Sequence, residues 1–85
     1  MDDVKTRVLK IFREIAGKLD IEDRELLKKE YLDAGILDSL QVIELITKLE
    51  EEFGIQFSHE DLESELFRTC EGIGQLIEKQ IGEKS

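Results

Sequence analysis

The segment Asp38-Ser39-Leu40-Gln41-Val42-Ile43-Glu44-Leu45-Ile46-Thr47-Lys48-Leu49-Glu50-Glu51-Glu52-Phe53-Gly54 decides the fold. Asp38 is placed to accept hydrogen bonds from the first free amides of a helix, and Gln41, three residues on, can reciprocate as in a capping box. Behind this cap Val42, Leu45, Ile46, Leu49 and Phe53 make an apolar stripe at helical spacing, while Glu44, Lys48, Glu51 and Glu52 fall largely elsewhere. Gly54 ends the pattern. A helix with one apolar face needs other elements against it, and the flanking sequence supplies them.

Upstream, Val4, Val8, Ile11, Ile15 and Leu19 recur at steps of three and four, with Phe12 on the same face and Asp2 or Asp3 placed to cap. The spacing predicts a helix from roughly Asp2 to Ala16, loosened at Gly17. Between Leu19 and Leu37 the apolar residues scatter among charges and end in the turn-like Asp33-Ala34-Gly35. This stretch reads as a long connection partly pinned to the core, and loops of that length in small domains tend to be functional. Downstream, Ser58-His59-Glu60-Asp61 resembles another cap, before a short helix carrying Leu62 and Leu66. Thr69 is placed to cap a last helix with Ile73, Leu76, Ile77 and Ile81 inward. With no proline and no repeat, the prediction is all-α: an irregular four-helix bundle of three longer helices and one short one, with a long loop between the first and second.

The 85 residues, 40% hydrophobic and 39% charged, provide apolar surface for one core, so residues 1–85 are expected to form a single domain. A formal charge of −9 has the wrong sign for a nucleic-acid backbone and favours partners with basic surfaces. No apolar run is long enough to span a bilayer, and the opening MDDVKTRVLK is acidic rather than a basic leader. A soluble, cytoplasmic protein is expected. Cys70 is the single cysteine, which leaves no intramolecular disulfide and no cysteine-based metal site, so the fold rests on packing.

The charge is local. From Asp38 to Glu65, nine acidic residues (Asp38, Glu44, Glu50, Glu51, Glu52, Glu60, Asp61, Glu63 and Glu65) face one base, Lys48. Within this window Ser39 follows the capping aspartate, so its hydroxyl should project at the mouth of the helix, near amides that favour negative charge. A phosphodiester placed there would be well accommodated.

The string Asp33-Ala34-Gly35-Ile36-Leu37-Asp38-Ser39-Leu40, followed by Ile43-Glu44-Leu45 and Leu49-Glu50-Glu51-Glu52-Phe53-Gly54-Ile55, closely resembles the acyl carrier proteins, including their Asp-Ser-Leu attachment motif. The resemblance extends to the order of helices over most of the chain. It implies that Ser39 receives 4′-phosphopantetheine from coenzyme A through a phosphopantetheinyl transferase, and that the arm's thiol carries an acyl group as a thioester. Asp38 and Leu40 match the residues flanking the attachment serine, and Glu44, Glu50, Glu51 and Glu52 match the acidic positions that meet partner enzymes with basic docking surfaces. The resemblance also implies a monomeric, non-catalytic carrier and a gap that shelters acyl chains, bordered by Val42, Ile46, Leu49, Leu66, Phe67 and Ile77. The Gly35-Ile36-Leu37-Asp38-Ser39 run is one residue longer than in housekeeping fatty-acid carriers, Gln41 stands where they commonly have an acid, and Ser58 to Thr69 is about two residues longer. Both length differences are similar to stand-alone carriers such as the D-alanyl carrier proteins. An aminoacyl or D-alanyl carrier loaded by an adenylating ligase is therefore the alternative, and an unmodified helical interaction module the rival from another class.

The other chemically capable residues point elsewhere. His59 is the only histidine and sits in a helix cap with no nucleophile pattern around it. Cys70 follows Thr69 where a small buried thiol is the default. Glu50-Glu51-Glu52 diverge around a helix by about 100° each, and no calcium-loop pattern accompanies them, so no metal site is expected. Phe12, Phe53, Phe57 and Phe67 read as core. No convergent acid, base and nucleophile set is present.

Overall fold

The computed structural model describes the backbone of residues 3–84 and the side chains of residues 3–82. Among them are five α-helices, one 3₁₀ turn and no strand: α1 (Val4–Ala16), α2 (Asp23–Lys28), α3 (Ser39–Phe53), α4 (His59–Glu63), the 3₁₀ turn (Glu65–Arg68) and α5 (Cys70–Lys84).

Local chemistry sets each boundary. Asp3 accepts the Thr6 amide at 2.8 Å and caps α1; those hydrogen bonds hold its carboxyl below its ordinary pKa. Asp2, the other residue offered by the sequence for this cap, lies outside the described residues. Gly17 closes α1 with φ at 84°, a value that only glycine adopts without strain. Asp38 and Gln41 form the reciprocal capping box at the start of α3, and Gly54 ends that helix in the left-handed conformation. Ser58 and Asp61 repeat the box at α4. The Thr69 hydroxyl takes the Gly72 amide at 3.0 Å, opening α5.

Two elements differ from the expectation. The long connection contains α2, a short helix whose N-cap, Glu22, makes no side-chain bond. Arg13 of α1 holds its entry, reaching the Ile21 carbonyl at 2.6 Å and Asp23 Oδ1 at 2.7 Å. The short third helix is also split. Ser64 adopts an extended backbone, and its hydroxyl accepts the Leu66 amide at 3.1 Å, so the chain restarts as a 3₁₀ turn. As a result Leu62 and Leu66 remain substantially exposed, as does Ile81 on α5.

One cluster of buried side chains joins the elements. Val8, Leu9, Ile11 and Phe12 come from α1, Leu26 from α2 and Leu45 and Leu49 from α3, with Ile73, Leu76 and Ile77 from α5. Tyr31, Leu37, Ile55, Phe57 and Phe67 enter from the connections and the 3₁₀ turn. The close approach that defines one side of this core is at Gly72, where a Cβ would lie 1.8 Å from the Leu66 carbonyl oxygen.

Candidate functional site

Ser39 is the first residue of α3, directly after its cap. Asp38 Oδ1 accepts the Gln41 amide at 2.8 Å, and Gln41 Oε1 accepts the Asp38 amide at 3.0 Å. Gln41 also donates its Nε2 to the Ile15 carbonyl at 3.3 Å, tying the start of α3 to the end of α1. These bonds fix the helix mouth without using Ser39. Among the described residues no group hydrogen-bonds the Ser39 hydroxyl, and the residue is exposed. A nucleophilic oxygen is thus presented to solvent on a rigid support, at the end of a helix whose orphan amides favour an anionic substituent.

Around Ser39 the solvent face of α3 carries Leu40, Ile43, Glu44, Thr47, Lys48 and Glu51, all exposed. Leu40 is 77% and Ile43 60% exposed, so two large apolar side chains one helical turn apart stand in solvent on this face. Of the four acids assigned to partner recognition, Glu44 and Glu51 lie on this face. Glu52 is exposed but pairs with Arg7 of α1, whose guanidinium also lies 4.5 Å over the Phe53 ring. Glu50 differs from the expectation. It is half-buried, and its Oε2 accepts the Phe57 amide at 2.9 Å, so it fastens the turn after α3.

On the opposite flank of the serine, a groove of about 500 Å³ opens between α3, α4, the 3₁₀ turn and the loop before Asp38. Val42 and Ile46 form its α3 wall, three and seven residues after Ser39 and thus on the serine's side of the helix. Of the six residues assigned to the sheltering gap, Val42, Ile46 and Phe67 line it. Leu49 and Ile77 are instead wholly buried in the core, and Leu66 is exposed outside the groove lining. Tyr31, Leu32, Leu62 and Ser64 complete the apolar and small-residue walls, while Glu30, Asp33, Glu63 and Arg68 contribute charge. Arg68 meets Glu30 at 3.6 Å. The length of the loop marks it as functional in the sequence, but which of its residues line the groove is not legible there because they follow no period. Tyr31, the only tyrosine, was the available signal.

The remaining candidates fall outside the site. His59 Nε2 lies 2.9 Å from Glu63 Oε1, an exposed pair one helical turn apart. Cys70 is fully buried, and that burial pushes its thiol up to about 12, so it stays protonated and inert. Among the described residues no group of acidic, histidine or cysteine side chains is arranged to hold a metal ion. No described helix is long and apolar enough to cross a membrane.

The phosphopantetheine attachment site family matches residues 6–78. The chain is similar to acyl carrier protein 2 of Pseudomonas aeruginosa, 34% identical over 64 residues that cover 74% of this chain and 77% of that protein. It is also similar to the D-alanyl carrier protein of Streptococcus mutans, 35% identical over 79 residues that cover 87% of this chain and 95% of that protein. No solved structure matches it.

Proposed function

We propose, from the premise that this chain belongs to the phosphopantetheine-bearing carrier proteins, that Ser39 is its attachment residue and acyl groups are its cargo. The family's prosthetic group is a covalently attached 4′-phosphopantetheine. The observation that carries the assignment is the exposed, unbonded Ser39 hydroxyl at the first position of a helix already capped by Asp38. The donor set suits the group: a free hydroxyl forms the phosphodiester, and the helix mouth favours its negative charge.

When bound, the arm supplies a thiol that holds an acyl group as a thioester. The protein's own residues have three tasks. Asp38 and Gln41 hold the helix start, so that the serine oxygen faces outward at a fixed place. Glu44 and Glu51, beside the apolar Leu40 and Ile43, give transferases and acyl-handling enzymes a negative and partly apolar surface to meet. Val42, Ile46 and Phe67 offer apolar cover to cargo within reach of the arm. In this reading the domain is a cytoplasmic, monomeric shuttle, and catalysis belongs to its partners.

A D-alanyl cargo is the second reading. The similarity to the Streptococcus mutans carrier favours it, since it extends over more of both chains than the similarity to the Pseudomonas aeruginosa one. The groove's apolar α3 wall supports the acyl reading, because an alanyl group has almost no alkyl surface to cover.

Intact mass after incubation with coenzyme A and a phosphopantetheinyl transferase tests the attachment. The expected result is a gain of one phosphopantetheine in the wild type and none in Ser39→Ala. A gain retained in Ser39→Ala would move the attachment elsewhere, and no gain in either would favour an unmodified interaction module.

A further inference from the structure

Two nearly buried aromatic residues from distant parts of the chain, Tyr31 and Phe67, line the groove beside α3. Tyr31 is 2% exposed, and its ring meets Phe12 edge-on at 5.6 Å. Its hydroxyl donates to the Phe67 carbonyl, and its amide donates to the Arg68 carbonyl at 3.3 Å. Its own carbonyl accepts the Ile36 and Leu37 amides at 2.9 and 3.3 Å. Phe67, on the 3₁₀ turn, packs edge-on against Phe57 at 5.4 Å. Both rings line the groove, and both are backed by aromatic rings of the buried core.

We propose that Tyr31 is a specificity-determining residue, the stop that limits how far an alkyl cargo carried through Ser39 can enter the groove. The proposal rests on the carrier reading. A chain entering along Val42 and Ile46 covers its first methylenes without disturbing the bundle. Going deeper requires moving an aromatic ring that is packed on Phe12. It also separates the Tyr31 hydroxyl from the Phe67 carbonyl, leaving a buried acceptor unpaired. Because the Tyr31 amide is bonded to Arg68 as well, the loop cannot swing away without releasing a second bond. Methylenes beyond the stop stay in water and add nothing to stability, whereas those before it are buried and do.

The test is a chain-length series. Holo protein is loaded with straight saturated acyl groups from acetyl to dodecanoyl, and each melting temperature is compared with that of the same protein unloaded. In the wild type the gain should rise with chain length and then level off. In Tyr31→Leu the unloaded protein melts lower, and the gain should continue to longer chains before levelling. Tyr31→Phe removes the hydroxyl but keeps the ring, so it should lose stability and still level where the wild type does. That pattern separates a steric stop from a merely structural tyrosine, which would move the baseline alone. Levelling at the same length in Tyr31→Leu and wild type, or a wild-type gain that never rises or never levels, would overturn the proposal. If Tyr31→Leu does not fold, Tyr31→Met, which replaces the ring with a flexible unbranched chain, carries the same expectations. Failure of the carrier reading is visible separately, as no mass gain from coenzyme A. In that event alkyl iodoacetamides of increasing length on Ser39→Cys supply the same series, since buried Cys70 does not compete, and the same levelling pattern decides.

Discussion

The α5 side and the α3 side of the bundle are built from different residues and closed to different degrees. On one side, α5 comes against the 3₁₀ turn at Gly72 and against α1 at Gly74, residues small enough for close approach, with Cys70 buried at its start. On the other, α3 faces the short α4 across a groove of about 500 Å³, with Leu40, Ile43 and Leu62 left in solvent. The difference teaches where this small domain keeps its stability. At Gly72 the seam is held by a backbone approach that admits no extra atom, while the α3 side presents an exposed hydroxyl, a charged face and a groove wall.

Gly72→Ala should have the largest effect on stability. Its new methyl would meet the backbone of Leu66, which cannot rotate away as a side chain can. A loss of about 3 kcal/mol in urea unfolding is expected. Gly74→Ala sharpens the point. Its nearest neighbour is the Lys5 Cγ at 3.2 Å, part of a flexible side chain, so the clash can relax and the gain in helix propensity offsets it. Equal losses at both glycines would break the claim that the seam is closed by backbone approach.

Alkaline pH should attack the same seam next. The thiol of Cys70 ordinarily titrates at 9.0, and burial pushes it up to about 12 in the folded protein. Burial raises Tyr31 as well. Below 9.0 both states hold the Cys70 proton and stability is unaffected by it. Above 9.0 the unfolded chain releases a proton that the folded chain retains, so stability falls as pH rises toward 12. Urea midpoints measured on both sides of 9.0 should show this decline, and Cys70→Ala should show less of it. A flat alkaline profile would mean that the seam opens readily to solvent.

What is legible in the sequence on either side follows from distance along the chain. Caps and stripes are local: Asp38 with Gln41, Ser58 with Asp61, and Thr69 with Gly72 each span three residues, and each was readable. The cap at Asp38 places Ser39 at the helix mouth on the same local grounds, whereas its reading as an attachment residue comes from the resemblance of the surrounding string to the acyl carrier proteins. The bond from Tyr31 to Phe67 spans 36 residues and follows no period, so the place of Tyr31 beside Phe67 in the groove wall is not visible in the sequence. Helix α2 escaped because it is short and lacks a side-chain cap. The packing roles of Gly72 and Gly74 show only once the neighbouring chain is in place. Glu50 was grouped with its acidic neighbours because its turn toward the Phe57 amide depends on how the chain returns after Gly54.

On the open side the effects should be smaller in stability and larger in function. Reversing charge at Glu44 and Glu51 to lysine should slow modification by the transferase by about tenfold, since both lie on the exposed face of the helix that Ser39 opens. The gap between variant and wild type should narrow with added salt, which screens such steering. A rate indifferent to charge and salt would leave Leu40 and Ile43 as the docking determinants. Asp38→Ala should then cost about 1 kcal/mol by removing the cap, while Asp38→Asn, which can still accept the Gln41 amide, should cost little. Equal losses in the two variants would show that the carboxylate's charge, rather than the cap bond, supports the helix mouth.

Ser39→Ala should produce the smallest change in stability and the largest separation between stability and function. The side chain makes no hydrogen bond among the described residues, and Asp38 and Gln41 keep the capping box without it. Alanine is also the better helix former at the first position of α3. The urea midpoint should therefore shift by less than about 0.5 kcal/mol in equivalent free energy, within the range of surface substitutions, while phosphopantetheine loading disappears. A variant that lost several kcal/mol would give Ser39 a structural role and place the helix mouth with the seam, as part of what holds the bundle together. A variant that folds and melts like the wild type, yet accepts no arm, would put the attachment oxygen outside the load-carrying structure, as the contrast between the two sides requires.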